Sequence, residues 1–179
     1  MKKLLQVILL AVLLVGCGSS APKADMSGYE GFEDTDHVFV ETNMKEVDDW
    51  MNGSKTFVVY FGFANCPWCI DALPILNNVA KENKETVYYV DTRKDPSWES
   101  NIDIDDYDLF IKNFEIFVPI DDEGIPHLYT PHVFFIKDGV VVYDHASTVD
   151  DHDATERELT EEEKEALAKN YQIGFDRMK

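Results

Sequence analysis

The chain has 179 residues, enough for one domain around one hydrophobic core. Its apolar share of 45% is ordinary for a globular protein, but 35 acidic residues stand against 16 basic ones, a formal charge of −19 at pH 7. That balance excludes the basic footprint needed for nucleic acid and the polybasic patch needed for anionic lipid, and it predicts a solvated, soluble surface.

Lys2 and Lys3 open the chain, and Leu4 to Val15 is apolar apart from Gln6. Such a helix rises only about 18 Å, short of a bilayer core of about 30 Å. Residues 1–16 therefore read as a signal peptide rather than a membrane span. The run ends in Leu14-Val15-Gly16-Cys17, which resembles the lipobox of bacterial lipoproteins. The resemblance implies cleavage before Cys17, lipid on its sulfur, and a domain anchored at the extracytoplasmic face of a bacterial cell membrane. An ordinary signal peptide followed by a chance cysteine is the alternative. Residues 17–31 contain Gly, Ser and Pro and predict a flexible tether, leaving 32–179 as the folded domain.

The stretch MKEVDDWMN, residues 44–52, predicts a short amphipathic helix with Val47, Trp50 and Met51 on one side. TFVVYFGF, residues 56–63, is β-branched and aromatic without alternation, the pattern of a strand buried on both faces. CIDALPILNNVAKEN, residues 69–83, places Ile70, Leu73, Leu76 and Val79 at a helical period, with Pro74 expected to kink it. TVYYVDT, residues 86–92, is the next strand. A polar loop over 93–105 precedes DDYDLFIKNFEIF, residues 105–117, a helix expected to bury Leu109, Ile111, Phe114 and Phe117. PHVFFIKDGVVVYDHA, residues 131–146, is a hairpin turning at Lys137-Asp138-Gly139. LTEEEKEALAKNYQ, residues 159–172, is a closing helix with a capping box from Thr160 to Glu163. From the first strand, the order is strand, helix, strand, helix, strand, strand, helix. It predicts an α/β fold with a mixed sheet, parallel in its first half and ending in an antiparallel hairpin.

Cys66 and Cys69 lie two residues apart between the first strand and its helix. A zinc site needs four ligands, usually from a second close pair, and the five histidines show no metal-ligand spacing. Covalent haem needs a histidine where Ile70 stands. A staple closing so small a loop gains little stability. Disulfide exchange explains the placement best: backbone N–H groups and the helix dipole favour a thiolate at a helix N-terminus. Cys66 is expected to be the exposed nucleophile, and Cys69, in the first turn, the more buried resolving thiol.

Four features resemble the thioredoxin superfamily over about residues 38–175. They are Cys66-Pro67-Trp68-Cys69, the helix proline Pro74, the run TPHVFFIKDG from Thr130 to Gly139, and the spacing that makes Pro131 the cis-proline. The resemblance implies a thioredoxin-like fold, a central mixed sheet flanked by helices with an insertion before the cis-proline strand. It also implies that Pro67, Trp68, Thr130 and Pro131 hold substrate beside the catalytic Cys66 and Cys69. The lipobox and the YFG…CPWC pattern are similar to the thioredoxin-like bacteriocin transport accessory proteins. Two departures stand out. Tyr60 occupies the position of the family's buried aspartate, and Val87 roughly that of its lysine. Tyr60 is expected to pack as a core aromatic, its hydroxyl still able to hydrogen-bond.

Smaller candidates carry two readings each. Asp71 either raises the thiol pKa by like charge or is an ordinary first-turn acid. His132 either approaches Cys66 or faces elsewhere. Trp68 packs either on substrate or on its own domain. The acidic run from Asp144 to Glu165 reads as a solvated loop and helix face.

The expected function is thiol–disulfide exchange on protein or peptide cysteines outside the cytoplasm, with a membrane redox partner in reserve and no metal or organic cofactor beyond the Cys66–Cys69 disulfide. The alternative is a non-catalytic accessory lipoprotein using the same scaffold to bind a transporter or envelope partner.

Overall fold

A computed structural model describes residues 22–93, 104–120, 122 and 124–179. The expected signal peptide over 1–16, Cys17, the start of the expected tether and most of the polar loop after Arg93 lie outside the described residues. Five strands, β1 (Phe39–Glu41), β2 (Phe57–Gly62), β3 (Val87–Asp91), β4 (His132–Lys137) and β5 (Val140–Ala146), form one sheet in the order β1-β3-β2-β4-β5. The pairs β1–β3 and β3–β2 are parallel; β2–β4 and β4–β5 are antiparallel. Four helices accompany it: α1 (Met44–Asn52), α2 (Pro67–Asn83), α3 (Ile104–Phe114), which runs on into a 3-10 turn (Glu115–Phe117), and α4 (Glu161–Met178). A mixed sheet of this order, flanked by helices, is a thioredoxin-like fold.

Every residue of β2 is buried, because both sheet faces are covered. On one face Val58, Tyr60, Val133 and Phe135 pack with Leu73 and Leu76 of α2 and Leu167, Tyr171 and Phe175 of α4. On the other, Val59, Phe61, Phe134 and Ile136 meet Val47 of α1 and Phe110 and Phe114 of α3. Alternate residues of one strand thus feed two cores, so the strand reads as a continuous apolar run. The hairpin turns through left-handed Asp138 and Gly139, at φ of 52° and 77°. A Cβ on Gly139 would sit 2.2 Å from the Met51 carbonyl oxygen, so only glycine fits that approach. At α4 the Thr160–Glu163 capping box forms as expected. Helix α2 continues through an exposed Pro74.

Three features depart from the sequence reading. Strand β1 was not expected; it is only three residues long and is held by pairing with β3. Residues 22–31, expected to belong to a flexible tether over 17–31, instead pack on the domain. Ala24 N–H donates to the Phe39 carbonyl at 3.1 Å, Lys23 bridges Val40, and Ala24, Met26 and Tyr29 are buried. These three apolar side chains join the core cluster while the polar residues between them stay exposed. Within the expected insertion, Phe110, missed from the sequence, shares burial with Phe114, while Leu109, Ile111 and Phe117 are only partly buried.

Candidate active site

The active-site loop leaves the C-terminal end of β2 and re-enters helix at Pro67. Cys66 is the N-cap of α2 in extended backbone, Pro67 takes the first helical turn, where a missing N–H costs nothing, and the Cys69 N–H donates to the Cys66 sulfur at 3.2 Å. A thiolate thus does the work of an N-cap oxygen. From across the site, the Thr130 hydroxyl lies 3.8 Å from the same sulfur and the Thr130 carbonyl 3.5 Å. The Thr130–Pro131 peptide bond is cis, as the spacing to Gly139 predicts. The structure therefore brings Cys66, Cys69, Thr130 and Pro131 together, with Pro67 and Trp68 half-buried beside them.

Cys66 is not the exposed nucleophile expected from sequence. It is only 4% exposed, with Thr130 lying against its sulfur and the adjoining Pro131 itself buried. The two thiols are nevertheless electrostatically unlike. Cys66 is lowered to about 7, first by the hydrogen bond it receives from the Cys69 thiol, then by the Cys69 N–H, the Thr130 hydroxyl and the Trp68 N–H, all against the cost of burial. Burial pushes Cys69 strongly upward, and the charge and hydrogen bond of Cys66 add to it. One sulfur is thus poised to ionise near neutral pH, and the other holds its proton.

His132 and Trp68 resolve into one reading each, while Asp71 lies beyond the first turn of α2 and has a partner the sequence did not show. His132 lies on the opposite sheet face, 4.1 Å from the Phe134 ring centroid and with its Nε2 2.8 Å from an Asp144 carboxylate oxygen. The alternation along β4 turns it away from Cys66. Asp71 is engaged by His152, whose buried Nε2 lies 2.8 Å from its carboxylate. The Trp68 indole N–H donates to the His152 carbonyl at 3.3 Å, so the tryptophan packs on its own domain. His152 was not expected here; it lies in the acidic run read as solvated, and its contact with α2 crosses 81 residues of sequence.

Beneath Cys69 lies a group of tyrosines that the sequence reading saw only in part. Tyr60 is fully buried and stacks on Tyr89, its cross-strand partner, with ring centroids 5.7 Å apart. Tyr89, not Val87, is therefore the neighbour of Tyr60. The Tyr29 hydroxyl donates to that of Tyr89 at 3.2 Å, and Tyr171 approaches from α4. Burial raises the pKa of all four phenols, and the negative charge of a Cys69 thiolate adds to each shift. The strand register puts Tyr60 beside Tyr89, but Tyr29 had no signal beyond being an aromatic in a polar segment.

A Cys-x-x-Cys pair capping α2, opposed by a cis proline on a thioredoxin-like sheet, describes the class of site. No protein-family model matches the sequence, and neither does any curated protein. Among solved structures the chain is similar to thioredoxin O2 from Arabidopsis thaliana in its oxidized state. The identity is 18%, the match covers 67% of this chain and 88% of that one, and the TM-score is 0.40.

Proposed function

We propose that this protein is a thiol–disulfide oxidoreductase, anchored through lipidated Cys17 to the extracytoplasmic face of a bacterial membrane. The observation that carries the reading is the placement of the pair: Cys66 caps α2, accepts the Cys69 N–H at 3.2 Å and meets Thr130 of the cis Thr130–Pro131 bond, with Cys69 fully buried behind it, an arrangement that lowers the first thiol and raises the second. The Cys66 thiolate attacks one sulfur of a partner disulfide and forms a mixed disulfide, releasing the other partner sulfur as a thiolate that takes up a proton. Cys69 then attacks the Cys66 sulfur. The remaining partner sulfur leaves with the bonding electron pair and the proton given up by Cys69, and the Cys66–Cys69 disulfide remains. Electrons reside on sulfur throughout, so the reading requires no metal or organic cofactor. Pro67, Thr130 and Pro131 adjoin the sulfur and are the proposed substrate contacts, while Trp68, expected among them, is held against its own domain by the His152 carbonyl. The resemblance to bacteriocin transport accessory proteins makes an exported cysteine-bearing peptide the first substrate to try.

The near-complete burial of Cys66 favours one rival, a non-catalytic binding module with an incidental cysteine pair. A Cys66→Ser variant separates them. Under the proposal it loses reduction of insulin and refolding activity, while Cys69→Ser traps mixed disulfides with partner cysteines. Wild-type protein that neither reduces nor oxidises any test disulfide, with partner binding unaltered in Cys66→Ser, would leave only the binding module.

A further inference from the structure

The Tyr60 hydroxyl is 0% exposed and has no hydrogen-bond partner in full geometry. Its ring is fixed by the Tyr89 stack and by Phe39, with centroids 5.9 Å apart. Gly62 makes room for its outer end: a Cβ there would lie 2.5 Å from the Tyr60 oxygen. The phenol thus extends along the strand to the C-terminal end of β2, within the core cluster that also holds the fully buried Cys69 thiol. A buried hydroxyl without a partner is destabilising, and phenylalanine would fill the same space without that cost.

We propose that Tyr60 is a hydrogen-bond donor to the Cys69 thiolate during disulfide exchange, a catalytic role that rests on the oxidoreductase reading above. In the resting dithiol Cys69 is a thiol and donates toward Cys66. In the mixed disulfide Cys66 no longer carries charge, and Cys69 must become the nucleophile. As its proton passes to the departing partner sulfur, negative charge develops on a sulfur that is 0% exposed. The Tyr60 O–H meets that charge from below. Its own proton is held far too firmly to be lost, since burial raises the phenol well above its ordinary value. Tyr60 therefore donates a hydrogen bond and does not act as a base. When exchange runs the other way, Cys69 is the leaving group and the same bond stabilises it on departure.

Tyr29, Tyr89 and Tyr171 also face this region, and they differ in a way the experiment can use. The Tyr29 and Tyr89 hydroxyls bond each other. The Tyr171 hydroxyl is buried and unpartnered like that of Tyr60, but it enters the cluster from α4 rather than along β2, and its ring lies edge-on to His145 with centroids 5.6 Å apart.

The test follows release of thionitrobenzoate from the full chain after reaction with Ellman's reagent. The first equivalent reports attack by Cys66; the second reports resolution by Cys69. In Tyr60→Phe the first phase is expected unchanged and the second slowed about tenfold at neutral pH, with its rise displaced to higher pH. Tyr171→Phe is expected within twofold of wild type in both phases. A second phase within twofold of wild type in Tyr60→Phe would overturn the proposal, as would equal slowing in both variants. Loss of cooperative melting in Tyr60→Phe would overturn it too, because the hydroxyl would then serve the fold. Wild-type protein with no second phase would instead remove the oxidoreductase reading on which the proposal stands.

Discussion

At the scale of single residues, the surroundings of the pair make two chemically identical thiols unlike. Cys66 is lowered because it accepts hydrogen bonds that stabilise its charge; Cys69 is raised because it is fully buried and spends its proton on Cys66. A lowered thiol is ionised at a lower pH, so reactivity appears as pH rises through the lowered value. Alkylation of reduced protein by iodoacetamide should therefore reach half its maximal rate near pH 7 and modify Cys66 alone, as mass spectrometry of the digest would read. The Thr130 hydroxyl helps hold that value, at 3.8 Å from the sulfur. Thr130→Val keeps the shape and the carbonyl but removes this donor, so alkylation at pH 7 should slow by roughly two- to threefold and its midpoint should move upward. Which cysteine would ionise was legible in the sequence, because helix-terminus chemistry depends on local order. That Cys66 would be almost covered was not, since Thr130 lies 64 positions further along the chain.

Among the elements, those whose hydrophobic period is long and uninterrupted were readable. Helix α1 has the expected bounds, β2 announces itself by its unbroken apolar run, and the capping box marks the start of α4. Strand β1 was not readable, because three residues carry no usable period and its pairing belongs to β3. The acidic loop between β5 and α4 was equally opaque. Its composition is that of a solvated segment, yet His152 in it is fastened to the N-terminal end of α2 through Asp71 and Trp68. That contact ties a loop to the helix that presents both cysteines. His152→Ala strands the partly buried Asp71 carboxylate and should cost about 2 kcal/mol in urea unfolding, with Asp71→Asn losing less because an amide still meets the imidazole. Equal urea midpoints for wild type and His152→Ala would show that the loop is held by other contacts.

For the molecule as a whole, the boundary of the folded unit matters most. Composition placed it near residue 32, but Ala24, Met26 and Tyr29 are buried in the same core as Cys69. A chain beginning at Phe32 should fold less stably than one beginning at Ala21, by roughly 4 kcal/mol for the Met26 and Tyr29 side chains together. Comparison of their denaturant midpoints would measure it, and coincident curves would return the segment to the status of a tether. Because Tyr29 bonds Tyr89 within the tyrosine group, the shorter chain should also alter the second thionitrobenzoate phase more than the first. The docked segment also shortens the leash on which a lipidated Cys17 would hold the domain. Pro22 and Lys23 emerge beside Lys81 and Lys84, at the C-terminal end of α2, whereas Cys66 caps its N-terminal end. Only five peptide steps separate Cys17 from Pro22, a reach of at most about 18 Å, while α2 alone is about 25 Å long. A domain so mounted would hold its sulfurs at the end away from the anchor, within reach of passing polypeptides more readily than of cysteines lying flush with the bilayer.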